Sequence, residues 1–430
     1  MVSIHKLQRV HDSMTNSLTQ RVDKTIHQRR EQLRQSLEQC RLKTLSLFVG
    51  MEHDTFCTQA HPDFSPVGWH LGHIAYTEAL WLLEHSAKMS RQFPEFGRLF
   101  IADALPKTER RNLPTQAEIR CYLDAVRAKV LDYLEIADLD TQERLWWWIV
   151  QHECQHSETV AFVLQLQKTR NQYRESQKIY HTSPAHSAAM IEIPAGYFEL
   201  GNDAIDAMDN ERLAHRVYLD TYAIDRYPVT CGEYQQFIDA GGYQNSRWWS
   251  KAGWEWLQSE QVTQPLYWQL GANNHPVCGV SWYEAEAYAQ FVNKRLPTEA
   301  EWEKAASWDA VNRCRRVYPW SNSSLDVHNC NCDCTIGQTT PVDAYSAGQS
   351  AYGCYDMLGN VWEWTASIFQ GYPGFASFPY IGYSQTYFDE QHRVLRGGSW
   401  ATLPWALRCS FRNWYHPHMR QMFTGFRCAK

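Results

Sequence analysis

The sequence predicts a multidomain protein, with an all-helical first half joined to an α+β second half. Three observations carry this reading. A chain of 430 residues is longer than one hydrophobic core usually serves. Apolar residues recur at helical spacing up to residue 172. From Ile191 onward Gly and Pro punctuate short aromatic and β-branched runs, as in Ile193-Pro194-Ala195-Gly196-Tyr197-Phe198. The expected organisation is a helical bundle over 1–172, a polar linker over 173–189 and an α+β domain over 190–430.

Taken in order, the first helix shows its apolar positions at Leu33, Leu37, Cys40, Leu42, Leu45 and Leu47. The second carries Trp69, Ile74, Leu80 and Leu83 behind Pro66, a residue favoured at helix starts. The third reads Ile119, Leu123, Val126, Val130 and Leu134 after Pro114-Thr115. The fourth holds Leu145, Trp148, Val150, Val160, Phe162 and Leu164. Four helices of this length suggest an antiparallel bundle, a common frame for metal sites. In the second half the clearest helix is Ser281 to Ala289, with Ser281 as cap and Glu284 at the reciprocal position.

Bulk properties exclude several classes. A net charge of -6 leaves no basic footprint for nucleic acid. No apolar run approaches the roughly 20 residues needed to span a bilayer, and the N-terminal residues lack a secretory h-region, so a cytoplasmic protein is expected. Thirteen cysteines follow no pairing pattern and are expected to be reduced thiols. Cys330, Cys332 and Cys334 lack the C-x-x-C spacing of zinc sites.

The chemistry concentrates in Gln151-His152-Glu153-Cys154-Gln155-His156-Ser157-Glu158. Histidines four apart in a helix lie about 40° apart around the axis, so His152 and His156 share a face and can bind one metal. Glu158 is roughly 240° from His152 and falls outside that ligand set. With Glu153 it fits bundle salt bridges or contacts behind the ligands. A third ligand is offered by Trp69-His70-Leu71-Gly72-His73, where spacing leaves His70 and His73 both open and Gly72 allows close helix approach. Gln155 lies on the same turn and can point at a ligand on the metal, though an ordinary surface glutamine fits its spacing as well.

In the second half five motifs occur in order. They are Arg295-Leu296-Pro297-Thr298-Glu299-Ala300-Glu301-Trp302-Glu303, Tyr318-Pro319-Trp320, Gly359-Asn360-Val361-Trp362-Glu363-Trp364, Arg396-Gly397-Gly398-Ser399-Trp400 and Gly425-Phe426-Arg427. This half closely resembles the formylglycine-generating-enzyme (sulfatase-modifying factor) domain, a C-type-lectin-like fold. Oxidase members of that family carry two copper-binding cysteines after Gly-Gly-Ser. Here Ala401 to Leu407 contains none, so the domain is expected to do another job. Joined to a bundle of the DinB kind, it resembles the ergothioneine-pathway sulfoxide synthases over nearly the whole chain.

That resemblance implies a non-haem iron enzyme using Fe(II) and O2 to join a cysteine-type thiol to C2 of the hercynine imidazole as a sulfoxide. It implies His73, His152 and His156 as iron ligands, and so selects His73 over His70. It implies Gln155 as a contact to the substrate imidazole and Tyr380 as proton donor beside Tyr383. Arg412, Asn413 and Trp414 would hold the carboxylate and trimethylammonium ends of the betaine. Members using γ-glutamylcysteine carry an Asp after Asn-Trp, where this chain has Tyr415 and then His416. They also carry two basic residues three apart, matched here by Lys107 and Arg110. Free cysteine therefore stands beside γ-glutamylcysteine as donor. The resemblance further implies a structural Ca2+ at Gly359 to Glu363, where a plain turn explains the same residues. A selenium-using variant, a zinc- or nickel-dependent DinB-type thiol transferase and a non-catalytic lectin-like module are the other readings.

Overall fold

The structure, a computed structural model, describes residues 4–172, 189–269, 271–322, 325–326 and 328–430. The linker expected at 173–189 lies outside the described residues except for Ala189. Compactness divides the chain into 1–156 and 157–430, inside a helix rather than at the polar stretch.

The first unit contains α1 (Ile4–Ser46), α2 (His53–Cys57), α3 (Val67–Glu78), α4 (Pro94–Phe100), α5 (Gln116–Leu134) and the first turns of α6 (Leu139–Gln172). Local chemistry sets several starts. Thr115 and Glu118 form a capping box at α5, and Pro94 opens α4, where a missing N–H costs nothing. The predicted stripe of α5 is fully buried at Ile119, Leu123, Val126, Val130 and Leu134. On α1, Leu33, Leu37 and Cys40 are buried, but Leu42 is 67% exposed because it sits five residues past Leu37, off the stripe.

The bundle is not the simple alternating antiparallel one. Arg29 meets Asp140 and Arg41 meets Glu153, so α1 and α6 run parallel. His70 faces His156 and Trp81 faces Trp148, which sets α3 and its π-helical extension Ala79–Ser86 against α6. Tyr133 stacks on Trp146 across the α5–α6 turn, so α5 also opposes α6 and runs parallel to α3. A parallel neighbour needs a crossover connection, and that connection carries α4.

One charged side chain from each long helix meets in the bundle core. Arg127 Nε donates to Glu78 Oε1 at 2.6 Å, Arg41 Nη2 to Glu78 Oε2 at 2.8 Å, and Arg41 Nε to Glu153 Oε1 at 2.7 Å. Arg127 Nη2 closes the ring on Glu153 Oε2 at 3.1 Å. Two cations against two anions leave no net buried charge, and loss of one member would strand the others.

The second unit begins with the last turns of α6 and continues through strands β1 (Met190–Ile193), β2 (Gly196–Leu200), β3 (His215–Leu219) and β4 (Tyr222–Asp225). Helices α7 (Cys231–Asp239), α8 (Lys251–Glu260), α9 (Trp282–Phe291) and α10 (Glu299–Ser307) follow. The remaining strands are β5 (Trp308–Asp309), β6 (Cys314–Arg315), β7 (Trp362–Ile368), β8 (Arg393–Arg396), β9 (Asn413–Tyr415) and β10 (Thr424–Gly425). The main sheet is ordered β10-β7-β8-β9, with β10 parallel to β7 and the other pairs antiparallel. The expected capping box at Ser281 and Glu284 is present at the start of α9.

Four of the five motifs read in the second half contribute buried ion pairs. Arg396 reaches Glu303 and, at 3.3 Å, Glu299; Arg427 holds Glu363 through Nε at 2.6 Å and Nη2 at 2.7 Å. Gly359 has φ +79°, and a Cβ there would lie 2.3 Å from the Asn331 carbonyl oxygen, so this tight turn admits only glycine.

Candidate functional site

In the first unit His73 from α3 and His152 and His156 from α6 each offer a ring nitrogen, all within 4.8 Å of one another. His156 Nε2 lies 3.2 Å from His152 Nε2. His73 Nδ1 is 2.7 Å from the Phe100 carbonyl oxygen, which can only accept, so Nδ1 carries the proton and Nε2 keeps its lone pair. Phe100 reaches this position because its ring occupies the space a Cβ on Gly72 would fill, 2.1 Å away. The expected close approach at Gly72 is therefore made by α4. Trp69 stacks on His73 at 4.7 Å and Trp148 on His152 at 5.1 Å, fixing both rings.

His70 is left outside this group. Its Nδ1 is 2.9 Å from His156 Nδ1, on the side of that ring away from His152, and its own Nε2 is buried without a partner. Burial pushes the imidazoles down, His70 to about 3 and His73 to about 4. His152 and His156 are also held well below the usual histidine range by burial and by the neighbouring imidazoles. Neutral imidazoles with free lone pairs are the form that binds a metal ion. Three such donors with no carboxylate suit a borderline divalent cation such as Fe(II) or Zn(II).

The other residues singled out in this unit have structural partners. Glu153 lies in the four-helix ion network, as expected of a bundle salt bridge. Gln155 is half-buried on the turn between the two histidines. Arg110 is buried over the Trp69 ring at 4.2 Å and donates to Ser65 Oγ at 3.0 Å and to the carbonyls of Leu105 and Ala102. Exposed Lys107 donates to the Asp63 carbonyl at 2.6 Å. A substrate carboxylate would compete with these internal acceptors for both cations.

In the second unit Glu158 departs from expectation: its partners there are hydrogen-bond donors, not bundle cations. Trp362 Nε1 and Thr402 Oγ1 each donate to it at 2.8 Å, and Ser399 Oγ donates as well. Burial raises its pKa against those three donors. Two of them belong to the motifs read as family signatures. With Phe162 packing on Phe423 at 6.4 Å, this explains why the end of α6 groups with the second unit.

Tyr380 and Tyr383 lie on the loop 378–384. Tyr380 is 42% exposed, whereas Tyr383 is 7% exposed and meets the Trp414 ring edge-on at 5.9 Å. Trp414 stacks on Phe369 at 4.2 Å and touches Tyr387 at 5.5 Å, so three aromatic rings surround it. Asn413 uses its side-chain oxygen on the Trp414 N–H at 2.8 Å. Arg412 is a correction. Its guanidinium is buried and committed to Glu299 at 2.6 and 3.0 Å, and to the carbonyls of Asn210 and Gln370. It anchors the strand and has no fork left for a betaine carboxylate.

Tyr415 is half-buried, and burial followed by the nearby Glu158 pushes its phenol up. His416 stacks on His392 at 3.9 Å, and His392 Nδ1 is held by Asp389 at 2.9 Å. Phe369, Tyr387 and His392 escaped the sequence reading because they lie in irregular segments with no period. The loop from Gly359 also needs revision as a cation site. Glu363 is closed off by Arg427, but Asp356 Oδ1, Asn331 Oδ1 and Thr340 Oγ1 are buried oxygens without partners. Each of these residues also bonds Asn360 through another of its atoms.

Over residues 176–430 the chain matches the Sulfatase-modifying factor enzyme 1-like domain family, and over 36–160 the DinB superfamily. It is 40% identical over 419 residues to the hercynine oxygenase of Mycobacterium tuberculosis, an alignment covering 93% of this chain and 98% of that one. It is 38% identical over 423 residues to the hercynine oxygenase of Mycolicibacterium smegmatis, covering 93% and 99%. The formylglycine-generating enzyme of Mus musculus is 31% identical over 57% of this chain and 76% of its own.

Proposed function

The chain belongs to the hercynine oxygenase family of oxidising enzymes, and from that premise we propose an Fe(II)- and O2-dependent sulfoxide synthase acting on hercynine and a cysteine-type thiol. The reaction balances as hercynine C2–H plus R–SH plus O2 giving the C2–S(O)–R sulfoxide and water. The observation that supports it most is the trio of neutral imidazoles at His73, His152 and His156, with His73 Nδ1 on the Phe100 carbonyl so that Nε2 keeps its lone pair. Bound there, Fe(II) would supply Lewis acidity and relay to O2 the four electrons that the thiol and the C2–H bond give up.

The chain's own residues do the rest of the work. Gln155, on the same turn as both α6 ligands, is assigned to the substrate imidazole. The Trp414 ring, walled by Phe369, Tyr383 and Tyr387, suits a trimethylammonium, since aromatic faces attract quaternary cations. Tyr380 is assigned the proton transfer that diverts the oxidation from plain thiol dioxygenation, and Tyr383 the packing beside it. The thiol side is assigned to Tyr415, Lys107 and Arg110. No acid occupies position 415, so free cysteine, which needs no remote clamp, is the favoured donor over γ-glutamylcysteine. The oxygen set around Asn360 is assigned a structural Ca2+. Reduced thiols throughout a cysteine-rich chain suit the cytoplasm. Among the described residues no helix is long and apolar enough to cross a membrane.

The test is anaerobic Fe(II) reconstitution followed by hercynine, O2 and either cysteine or γ-glutamylcysteine, with product masses measured. A coupled sulfoxide is expected, with higher turnover on cysteine. Absence of a coupled product with both thiols overturns the reading. Tyr380→Phe should move products toward the sulfinate of the thiol, and an unchanged product ratio removes its assigned role.

A further inference from the structure

Tyr380 is 42% exposed on a loop whose two ends are held by buried groups. Both ends meet one carboxylate. Asp209 Oδ1 accepts from Ser384 Oγ at 2.5 Å, and Asp209 Oδ2 accepts from the Phe378 backbone N–H at 3.1 Å. Within the loop the Tyr383 N–H donates to the Tyr380 carbonyl at 3.2 Å, so the span between the two anchors is a closed turn. Asp209 opens the 3-10 turn Asp209–Glu211, whose three residues are each at most 1% exposed.

The same turn also holds the strand that carries Trp414. Asn210 Nδ2 donates to Ser384 Oγ at 3.0 Å, while the Asn210 carbonyl accepts from Arg412 Nη1 at 2.7 Å. Glu211 accepts from Arg408 Nε at 2.8 Å and Ser410 Oγ at 2.6 Å, pinning the residues just before β9. Three consecutive residues, Asp209 to Glu211, thus set the spacing between the tyrosine loop and the Arg412-Asn413-Trp414 segment. Nothing in the sequence signals this, because Asp209 and its loop partners are separated by 169 and 175 positions.

We propose that Asp209 is a positioning residue for Tyr380, holding both ends of its loop at a fixed distance from the Trp414 strand. This rests on the reading above that Tyr380 delivers the proton separating sulfoxide synthesis from thiol dioxygenation. Asp209 would act through the loop that it holds and not on the reacting atoms. In Asp209→Asn one carboxylate oxygen becomes an NH2 donor. Facing Phe378 it opposes another N–H, and facing Ser384 it leaves the serine proton without an acceptor. Either orientation releases one end of the loop while preserving volume.

The experiment measures the ratio of coupled sulfoxide to thiol sulfinate, with the KM for hercynine, in the iron-loaded wild type, Asp209→Asn, Ser384→Ala and Tyr380→Phe. Asp209→Asn should lower the ratio about tenfold, toward the Tyr380→Phe value, because a misplaced proton donor loses much of its contribution. Ser384→Ala removes one anchor atom and should give an intermediate ratio; it carries the test if Asp209→Asn does not fold. In the Tyr380→Phe background neither change should lower the ratio further. A scaffold role alone would reduce total turnover at constant ratio, and that result overturns the proposal. If Tyr380→Phe itself leaves the ratio unchanged, the failure lies in the reading of Tyr380 and not in the loop anchor.

Discussion

The histidine cluster of the bundle and the aromatic segment of the second unit are built in opposite ways. His152 and His156 are placed by one helical period, and His73 is placed by a second helix running against it. Each ring is then locked by a neighbour close in sequence, Trp148 behind His152 and Trp69 behind His73. Tyr380 sits in irregular chain and Trp414 on the short edge strand β9, and both are held by buried partners far away, Asp209 for the loop and Glu299 for Arg412. Local periodicity makes a rigid, cheap metal site; long-range ion pairs make a shaped surface that many separate residues must hold.

The contrast predicts that lesions in the bundle act on metal and lesions in the second unit act on substrate. The largest effect tests the first half: His152→Ala should abolish stoichiometric Fe(II) binding, read by metal analysis after anaerobic reconstitution. Trp414 and Tyr380 variants should keep full iron content. Equal iron loss from Trp414→Ala would erase the distinction.

A second prediction probes how the second unit tolerates charge. Buried Glu211, Glu299, Glu303 and Glu363 each meet an arginine, but buried Asp356 forms no such ion pair. Burial raises its carboxyl from 3.8 to about 7, against the Asn360 amide and Arg427, which lower it. The folded pKa is above the unfolded one, so the contribution to stability is present below pH 3.8 and is lost as pH rises through about 7. The shift corresponds to roughly 4 kcal/mol at about 1.4 kcal/mol per pKa unit. Urea unfolding in chelator should show wild type losing about 3 kcal/mol relative to Asp356→Asn between pH 5 and pH 8, since about two of those pKa units lie above pH 5. Ca2+ should remove the difference by stabilising the carboxylate. Parallel pH profiles in chelator would show that Asp356 stays ionised.

These two regions also differ in how much of them could be read from the sequence. The α5 stripe and the His152–His156 pair follow from a period of 3.6 and needed nothing else. Leu42 failed because an apolar residue was admitted to the stripe without its angle being right. The parallel run of α3 and α5 escaped because helix periodicity carries no direction; only cross-helix pairs such as Tyr133 with Trp146 reveal it. The five motifs of the second half were legible as signatures while their role was not. Glu299, Glu303, Glu363, Arg396 and Arg427 each need a buried partner of opposite charge, and that pairing lies beyond any local window. Arg412 follows the same rule: its substrate role is implied only by family resemblance, while its pairing with Glu299 lies beyond any local window.

A third, smaller effect sharpens the bundle side. His156 Nδ1 faces His70 Nδ1 at 2.9 Å, so one ring donates to the other and the tautomer of His156 depends on His70. Partners of this kind typically contribute about 10–100-fold to metal affinity. His70→Ala should weaken Fe(II) binding by about that factor, measured by competition with a chelator, and leave stoichiometry at saturation unchanged. Loss of stoichiometry would instead make His70 a ligand in its own right.

The smallest expected effect compares two tryptophans. Trp69 lies flat on His73, and its removal should loosen a ligand and lower metal affinity without favouring one substrate over another. Trp414 is surrounded by Phe369, Tyr383 and Tyr387 and is assigned the trimethylammonium. A desolvated cation–π contact contributes about 1–2 kcal/mol, so Trp414→Ala should raise the KM for hercynine about tenfold. The KM for the thiol should stay within about twofold, well under the 1.4 kcal/mol that a tenfold change represents. Unmethylated histidine supplies the control, because it lacks the quaternary charge that the ring would recognise. If Trp414→Ala weakens histidine and hercynine equally, the ring is packing rather than reading charge. The aromatic segment would then resemble the bundle more closely than the contrast between their constructions allows.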